Sequence, residues 1–317
     1  MEQLNQTTSH RFILLGLSTD PQLKVLFFVI FLLMYLMTIS GNLLLIVIVR
    51  LNPSLQSPMY FFLTNLSIID IVFSSSVVPV LLMNTLANDK SISLVGCATQ
   101  ICFSLAMGAA ESIIIAAMAY DRFAAICRPL HYNTIMNKTL CFYLVAGAWS
   151  VGFINSSVQA ILTFQLPYCK RVNVNHYFCE VPAFIRISCG DTFLNELSIY
   201  ITGAIIAMGC FYLIIISYVH IISNILRISS SQGRQKSFST CASHLTVVTL
   251  FFGTVMFMYL RPHSKQSSNF ANEIDKVVPV LYTAVTPMLN PFIYSMRNKD
   301  VKNAIRNQLK RMQCHKN

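Results

Sequence analysis

The chain has 317 residues, of which 55% are hydrophobic and only 11% charged, with a formal net charge of +11. A water-soluble domain carries roughly 25% charged residues, and no soluble fold of this length could hide so much apolar surface. The solvent this sequence suits is a bilayer, and the positive excess falls mainly on one predicted face of it, which argues against nucleic acid as a partner.

Residues 1–23 are too polar to supply the apolar core of a signal peptide, so the first span is expected to direct insertion itself. Stretches without Asp, Glu, Lys or Arg then run over 25–49, 53–69, 71–88, 91–110, 112–120, 139–169, 197–226, 237–260 and 277–296. Joined across the lone acids Asp70 and Glu111, they form seven segments, each near or above the ~20 residues a helix needs to cross. Strand-type alternation is absent, so helices are expected to do the spanning. The expectation is an all-α, seven-helix membrane bundle over 24–296, an extracellular segment over 1–23, and a cytoplasmic tail over 297–317 carrying a short amphipathic helix. With the N-terminus outside, fourteen of the 23 Lys and Arg face the cytoplasm, as the positive-inside bias requires. Asn5-Gln6-Thr7 is then the glycosylation sequon on the outer side. Asn65 and Asn155 begin sequons within spans, and Asn137 begins one on the inner side.

Asn42, Asp70, Glu111 and Asn290 lie within apolar spans on four different segments. Intramembrane polar groups are costly unless they face one another, so these four are expected to form an inward polar hub. A sodium ion at Asp70 and Glu111 is one reading, and a water-filled hydrogen-bond hub is the other. The third segment ends in Met118-Ala119-Tyr120-Asp121-Arg122-Phe123-Ala124-Ala125-Ile126-Cys127. An acid and a base at the end of an apolar helix persist at a membrane face or with partners, and such an arginine can hold an inner gate shut. Glu111 and Arg122 are eleven residues apart, about 1100° of helical turn, and so share a face. Ser104, Gly108 and Glu111 follow on the same side.

Cys97 precedes the third span, and Cys169, Cys179 and Cys189 lie in the loop after the fourth, all on the expected oxidising side. Four cysteines allow three pairings; the expected one is Cys97–Cys179, holding the loop over the bundle, with Cys169–Cys189 closing a local loop. Cys97 lies 25 residues before Arg122, about 37 Å of helix, which places them at opposite membrane faces. His176, Cys179 and Glu180 could suggest a metal site, but an oxidised thiol and a solvated His176 are the expected state, so no metal is assigned. Pro287 and Pro291 each remove a backbone donor in the last span and permit a bend. In the tail, Val301, Ile305 and Leu309 recur every fourth residue among basic ones, the pattern of an amphipathic helix on the inner leaflet. Cys314 is a candidate for acylation.

Seven apolar spans also suit a transporter or channel, but repeated halves with broken helices are not seen. No nucleophile–base pair or metal-ligand cluster converges, so an enzyme is not expected.

The chain resembles a rhodopsin-like (class A) G-protein-coupled receptor, and within that class an olfactory receptor. The general signals are Gly41-Asn42, Leu66 with Asp70, Asp121-Arg122, Trp149, and Asn290-Pro291 through Tyr294. The olfactory ones are Pro58-Met59-Tyr60-Phe61-Phe62-Leu63, the Met118–Cys127 stretch, Ser217-Tyr218, Lys236-Ser237-Phe238-Ser239-Thr240-Cys241-Ala242-Ser243-His244-Leu245, and Pro287 to Asn298, together with the three loop cysteines. Phe123, Ala124, Ser237 and Phe252 depart from the family's usual Tyr, Val, Ala and Tyr.

The resemblance implies a plasma-membrane receptor for a small volatile odorant held between the outer helix halves. The positions it points to are Ser104, Leu105, Gly108, Ala109 and Ser112 on span three, and Thr202 and Ile206 on span five. Phe252, Val255, Met256 and Tyr259 follow on span six, with Thr283 on span seven. The set is mostly apolar with a few hydroxyls, which suits a neutral ligand; an amine receptor would be expected to place an acid on the upper face of span three. It further implies that ligand shifts a population in which span six swings out and Arg122 is released from Asp121, with Tyr218, His244, Asn290, Pro291 and Tyr294 taking part. A heterotrimeric G protein of the stimulatory olfactory type then binds the opened face and cyclic AMP rises.

Overall fold

Asp20 starts the first helix: its carboxylate accepts the Gln22 N–H at 2.9 Å, and Pro21, fixed at a helical φ, takes the first position. That helix, α1, runs Pro21–Leu51, and α2 runs Pro58–Leu86 from a second proline start. Ser93 caps α3 (Leu94–Cys127) by accepting the Gly96 N–H at 3.1 Å. Asn137 does the same for α4 (Lys138–Phe164) through the Leu140 N–H at 2.8 Å. The remaining long helices are α5 (Phe193–Leu226), α6 (Ser231–Leu260) and α7 (Lys276–Ser295). The computed structural model describes residues 11–17, 20–87, 89–169, 172–227, 230–260, 276–297 and 301–306. Asn5, Leu309 and Cys314 lie outside the described residues.

Six of the seven helices are long and apolar enough to cross a bilayer. In α6 the apolar stretch is shorter, Cys241–Phe257, because its first turns carry Arg234, Gln235 and Lys236. The chain is a multi-pass membrane protein. α3 is central and largely buried, whereas α1 and α5 turn residues such as Leu33, Leu36, Ile205 and Tyr212 outward. α3 and α4 approach closely at Gly152, where a Cβ would stand only 2.5 Å from the Ala106 carbonyl oxygen. Gly41 gives similar room to Pro291, whose Cγ would be 3.0 Å from an added Cβ.

Two helices are locally underwound. A π-helical turn occupies Ala204–Met208 in α5 and another Leu281–Val285 in α7; such turns are rare and concentrate at functional sites.

The bundle is covered at one end by three strands that the sequence pattern did not reveal. β1 (Arg11–Leu14) pairs antiparallel with β2 (Ser91–Ser93) and parallel with β3 (Asn173–Val174). Segments of two to four residues are too short to show alternation. Their buried side chains Phe12, Leu14 and Val174 form a second core, where Phe12 meets Tyr168 at 5.4 Å and Phe184 at 4.9 Å, ring centre to ring centre. Cys97–Cys179 and Cys169–Cys189 are both bonded, with Cα separations of 5.5 and 6.2 Å, so this is the disulfide end. The opposite end carries Arg122. Beyond α7, residues 301–306 are helical, and Val301 and Ala304 are buried in the main core with Ile305 packed beside it.

Candidate functional site

At the arginine end, sequence neighbours on α3 look in different directions. Asp121 is buried and accepts a 2.7 Å hydrogen bond from the Tyr132 hydroxyl, in the turn after α3. Among the described residues no ion pair joins Asp121 to Arg122 within 4 Å; the Arg122 charge still acts on Asp121, but without the direct contact expected between them. The reason is geometric: residues i and i+1 on a helix do not face each other. Burial, then the Asp121 carboxylate beside it, raise the Tyr132 phenol far above its ordinary range, so it remains a donor.

Arg122 is half-buried, and its Nε, turned inward, has no partner among the described residues. Its charge is felt by Tyr218, His244 and Tyr294, on α5, α6 and α7. His244 is fully buried; its Nε2 lies 3.1 Å from the Ile115 carbonyl oxygen of α3 and its Nδ1 2.8 Å from the Tyr218 hydroxyl. A carbonyl can only accept, so Nε2 carries the proton, and in the neutral ring Nδ1 accepts from Tyr218. One imidazole thus joins α3, α5 and α6. Tyr294 is buried with its hydroxyl unpartnered among the described residues, and Pro291 packs against Gly41.

At mid-depth the polar hub divides. Asn290 Nδ2 donates to both Asp70 oxygens at 3.0 and 3.1 Å, tying α7 to α2. Ser74 Oγ donates to the Asp70 backbone carbonyl. Glu111 is close enough for its carboxylate to act electrostatically on that of Asp70. Both Glu111 oxygens and Asn290 Oδ1 are buried without a donor among the described residues. Asn42 instead joins α1 to α7, donating to the Thr38 and Pro287 carbonyls at 3.0 and 3.1 Å. Two buried carboxyls, one of them held by an amide, form a ligand set suited to a small hard cation or to a retained proton.

Toward the disulfide end lie the positions expected to line a ligand site. Ser104, Ala109 and Ser112 are buried on α3, with Leu105 and Gly108 partly so. Gly108 faces open space: an added Cβ there would meet nothing within 4 Å. The hydroxyls of Ser104 and Ser112 donate to carbonyls of their own helix, Ile101 and Gly108. On α6 Phe252 is fully buried against Phe211 of α5 at 5.5 Å and Phe251 at 5.1 Å, and Val255 and Met256 pack beside the core. The Tyr259 side chain lies outside the described residues. Ile206 and Thr283 each fall inside one of the two π-helical turns.

The loop after α4 reaches into this region. Tyr177 is buried, and its hydroxyl lies 3.3 Å from Thr283 Oγ1. Thr283 donates to the Pro279 carbonyl at 2.8 Å, so Tyr177 is the donor of that pair. His176 is buried too, which corrects the solvated position expected of it: its ring centre is 4.7 Å from those of both Tyr177 and Phe178, and Nε2 is 3.4 Å from Glu180 Oε1. The neighbouring Cys97–Cys179 bond draws this stretch down onto α3. Gln100 fixes it further, accepting the Cys179 N–H at 2.7 Å and donating to the Ser76 carbonyl of α2 at 2.7 Å. Neither Gln100 nor Tyr177 stood out in the sequence; each sits within three residues of a cysteine of this bond.

A family profile described as "Olfactory receptor" matches residues 31–315. Among curated proteins, the chain is 46% identical to mouse "Olfactory receptor 5AR1" over 306 residues, covering 96% of this chain and 97% of that one. It is 48% identical to human "Olfactory receptor 2F1" over 300 residues, covering 95% and 93%. With rat "Olfactory receptor 1f45" the identity is 47% over 309 residues, covering 98% and 97%.

Proposed function

The chain belongs to the olfactory receptor family, and from that membership we propose that it binds a small, mostly apolar volatile molecule near the disulfide end and raises cyclic AMP through a stimulatory olfactory-type G protein. The family is one of receptors, not enzymes, and implies odorant ligands and G-protein coupling in general. In this reading the N-terminus is extracellular, with Asn5 glycosylated, and the C-terminus is cytoplasmic in the plasma membrane.

The observation that carries the reading is that the same three helices hold both regions. α3, α5 and α6 supply Ser104, Thr202 and Phe252 toward the disulfide end, and Ile115, Tyr218 and His244 toward the arginine end. Ligand contact with the first set biases the second by population shift: α6 moves out, the His244 links break, and Arg122 becomes available to the G-protein α subunit. Asp121, held by Tyr132, stays with the turn after α3. Asp70, Glu111 and Asn290 would hold a sodium ion between α2, α3 and α7, and its charge would tie these helices together.

The test is a cyclic-AMP reporter screen of a diverse volatile library on surface-labelled receptor, repeated with Arg122→Ala. Odorant-evoked cyclic AMP is expected in the wild type and absent in the variant at equal surface level. Normal signalling from Arg122→Ala would remove that residue from the mechanism.

A further inference from the structure

We propose that the seam between α4 and α5 forms a hydrogen-bonding subsite, built on Gln159 and Asn195, that selects odorants bearing a hydroxyl group. The inference rests on the odorant-receptor reading and narrows it to a ligand class.

Gln159 is 2% exposed on α4, and its Nε2 donates to Ser198 Oγ at 2.8 Å and Thr202 Oγ1 at 3.3 Å on α5. The orientation of the amide is fixed by its partners. Thr202 spends its proton on the Ser198 carbonyl at 2.8 Å, so toward Gln159 it can only accept, and the nitrogen end must face it. Oε1 is thereby turned away from both hydroxyls, and it is buried with no donor among the described residues. Asn195, 4% exposed, has the complementary defect: its Nδ2 is buried with no acceptor among the described residues. Asn195, Ser198 and Thr202 stand at i, i+3 and i+7, one stripe of α5. The seam therefore offers one orphaned acceptor and one orphaned donor.

Its surroundings connect it to the ligand region. Thr202, which accepts from Gln159, belongs to the expected ligand set, and Ile199 of the same helix packs against the apolar cluster that Leu105 also borders. A buried polar atom left unpaired is costly. A ligand hydroxyl can donate to Gln159 Oε1 and accept from Asn195 Nδ2. A methyl ether or ketone of the same skeleton can only accept and leaves Oε1 unpaired; an alkane leaves both. A carboxylate would bring a charge and no proton to Oε1. The expected order is alcohols and phenols first, ethers and ketones next, alkanes and carboxylates last.

The test is a cyclic-AMP dose–response on the full-length, surface-labelled receptor, using alcohols paired with their methyl ethers and ketones. In the wild type the alcohol should be at least about tenfold more potent than its ether, as expected where a site's buried group is left unpaired. Gln159→Leu should bring the alcohol-to-ether ratio close to one while ethers retain their potency. Asn195→Leu should instead weaken alcohol and ether together, since both accept from Nδ2, relative to the matched alkane; it carries the test if Gln159→Leu fails to reach the surface. Wild-type preference for ethers or ketones, an alcohol-to-ether ratio unchanged in Gln159→Leu, or alcohol and ether potencies unchanged in Asn195→Leu overturns the subsite while leaving the odorant-receptor reading intact. Cyclic AMP unresponsive to every volatile class at normal surface level overturns both.

Discussion

The Tyr218 hydroxyl stands 2.8 Å from His244 Nδ1, and the other nitrogen of the same ring faces the Ile115 carbonyl at 3.1 Å. Three helices meet at one side chain, so the energy holding them is concentrated and can be removed by a single substitution. Tyr218→Phe deletes one hydrogen bond, about 1 kcal/mol, which is roughly a fivefold shift in a two-state ratio. Basal cyclic AMP should rise by about that factor, and more in His244→Ala, at matched surface expression. Unchanged basal signalling in both would mean that the bundle is held closed elsewhere.

Tyr132→Phe should act differently. It strands a buried carboxylate, Asp121, which accepts a hydrogen bond from that hydroxyl. A hydrogen bond to a charged group contributes about 1.5–3 kcal/mol, so the variant should melt at a lower temperature in a fluorescence-based unfolding assay. Asp121→Asn, which retains an acceptor for Tyr132, should be milder. Equal melting of all three proteins would show that the contact carries no stability.

Gly152→Ala tests the α3–α4 contact. Its Cβ would meet the Ala106 backbone oxygen at 2.5 Å, and backbone cannot move aside as a flexible side chain does. Overpacking of this kind costs about 1–3 kcal/mol, so surface expression and melting temperature should both fall. Gly147→Ala, where an added Cβ meets nothing within 4 Å, is the matched control. It should be neutral or slightly stabilising, since alanine is the better helix former.

The loop clamp can be separated from its disulfide. Gln100→Leu keeps Cys97 and Cys179 but leaves the Cys179 N–H buried without its acceptor, a loss of about 1–3 kcal/mol. The bond should still form, as judged by thiol labelling, while melting temperature drops and the loop becomes more accessible to protease. A protected loop in this variant would assign the anchoring to the disulfide alone.

The cation reading of the hub has its own measurement. In membranes assayed for agonist-stimulated nucleotide exchange, replacing sodium by choline should raise agonist potency in the wild type and have no effect in Asp70→Asn or Glu111→Gln. The same response to choline in all three proteins would leave the hub to protons and water.

Much of this architecture could be read from residue order alone, because bilayer crossing imposes a long apolar signature and cysteine positions constrain a loop. Asp70 and Asn290 could be anticipated as partners, since a polar side chain in lipid must find another. Contacts that depend on direction were harder. Asp121 and Arg122 look like a natural pair on paper, but adjacent helical positions diverge, and the true partner lies in the turn eleven residues on. His176 reads as a polar loop residue until the neighbouring disulfide is seen to bury it. The strands of the disulfide end are too short to leave a pattern, and Gln159 was indistinguishable from any amide near a helix end.

Ile206 and Thr283 owe their aim to winding as much as to identity. A π turn carries one residue more than an α turn over nearly the same rise, so on either side of it the angular register differs by about 100°. Deleting a single residue, such as Ala204, would let α5 close into regular α geometry and send Ile206 to another face with every contact chemistry unchanged. In this protein the direction in which the side chains of α5 and α7 point is thus encoded partly in residue count, a quantity that substitution alone leaves untouched.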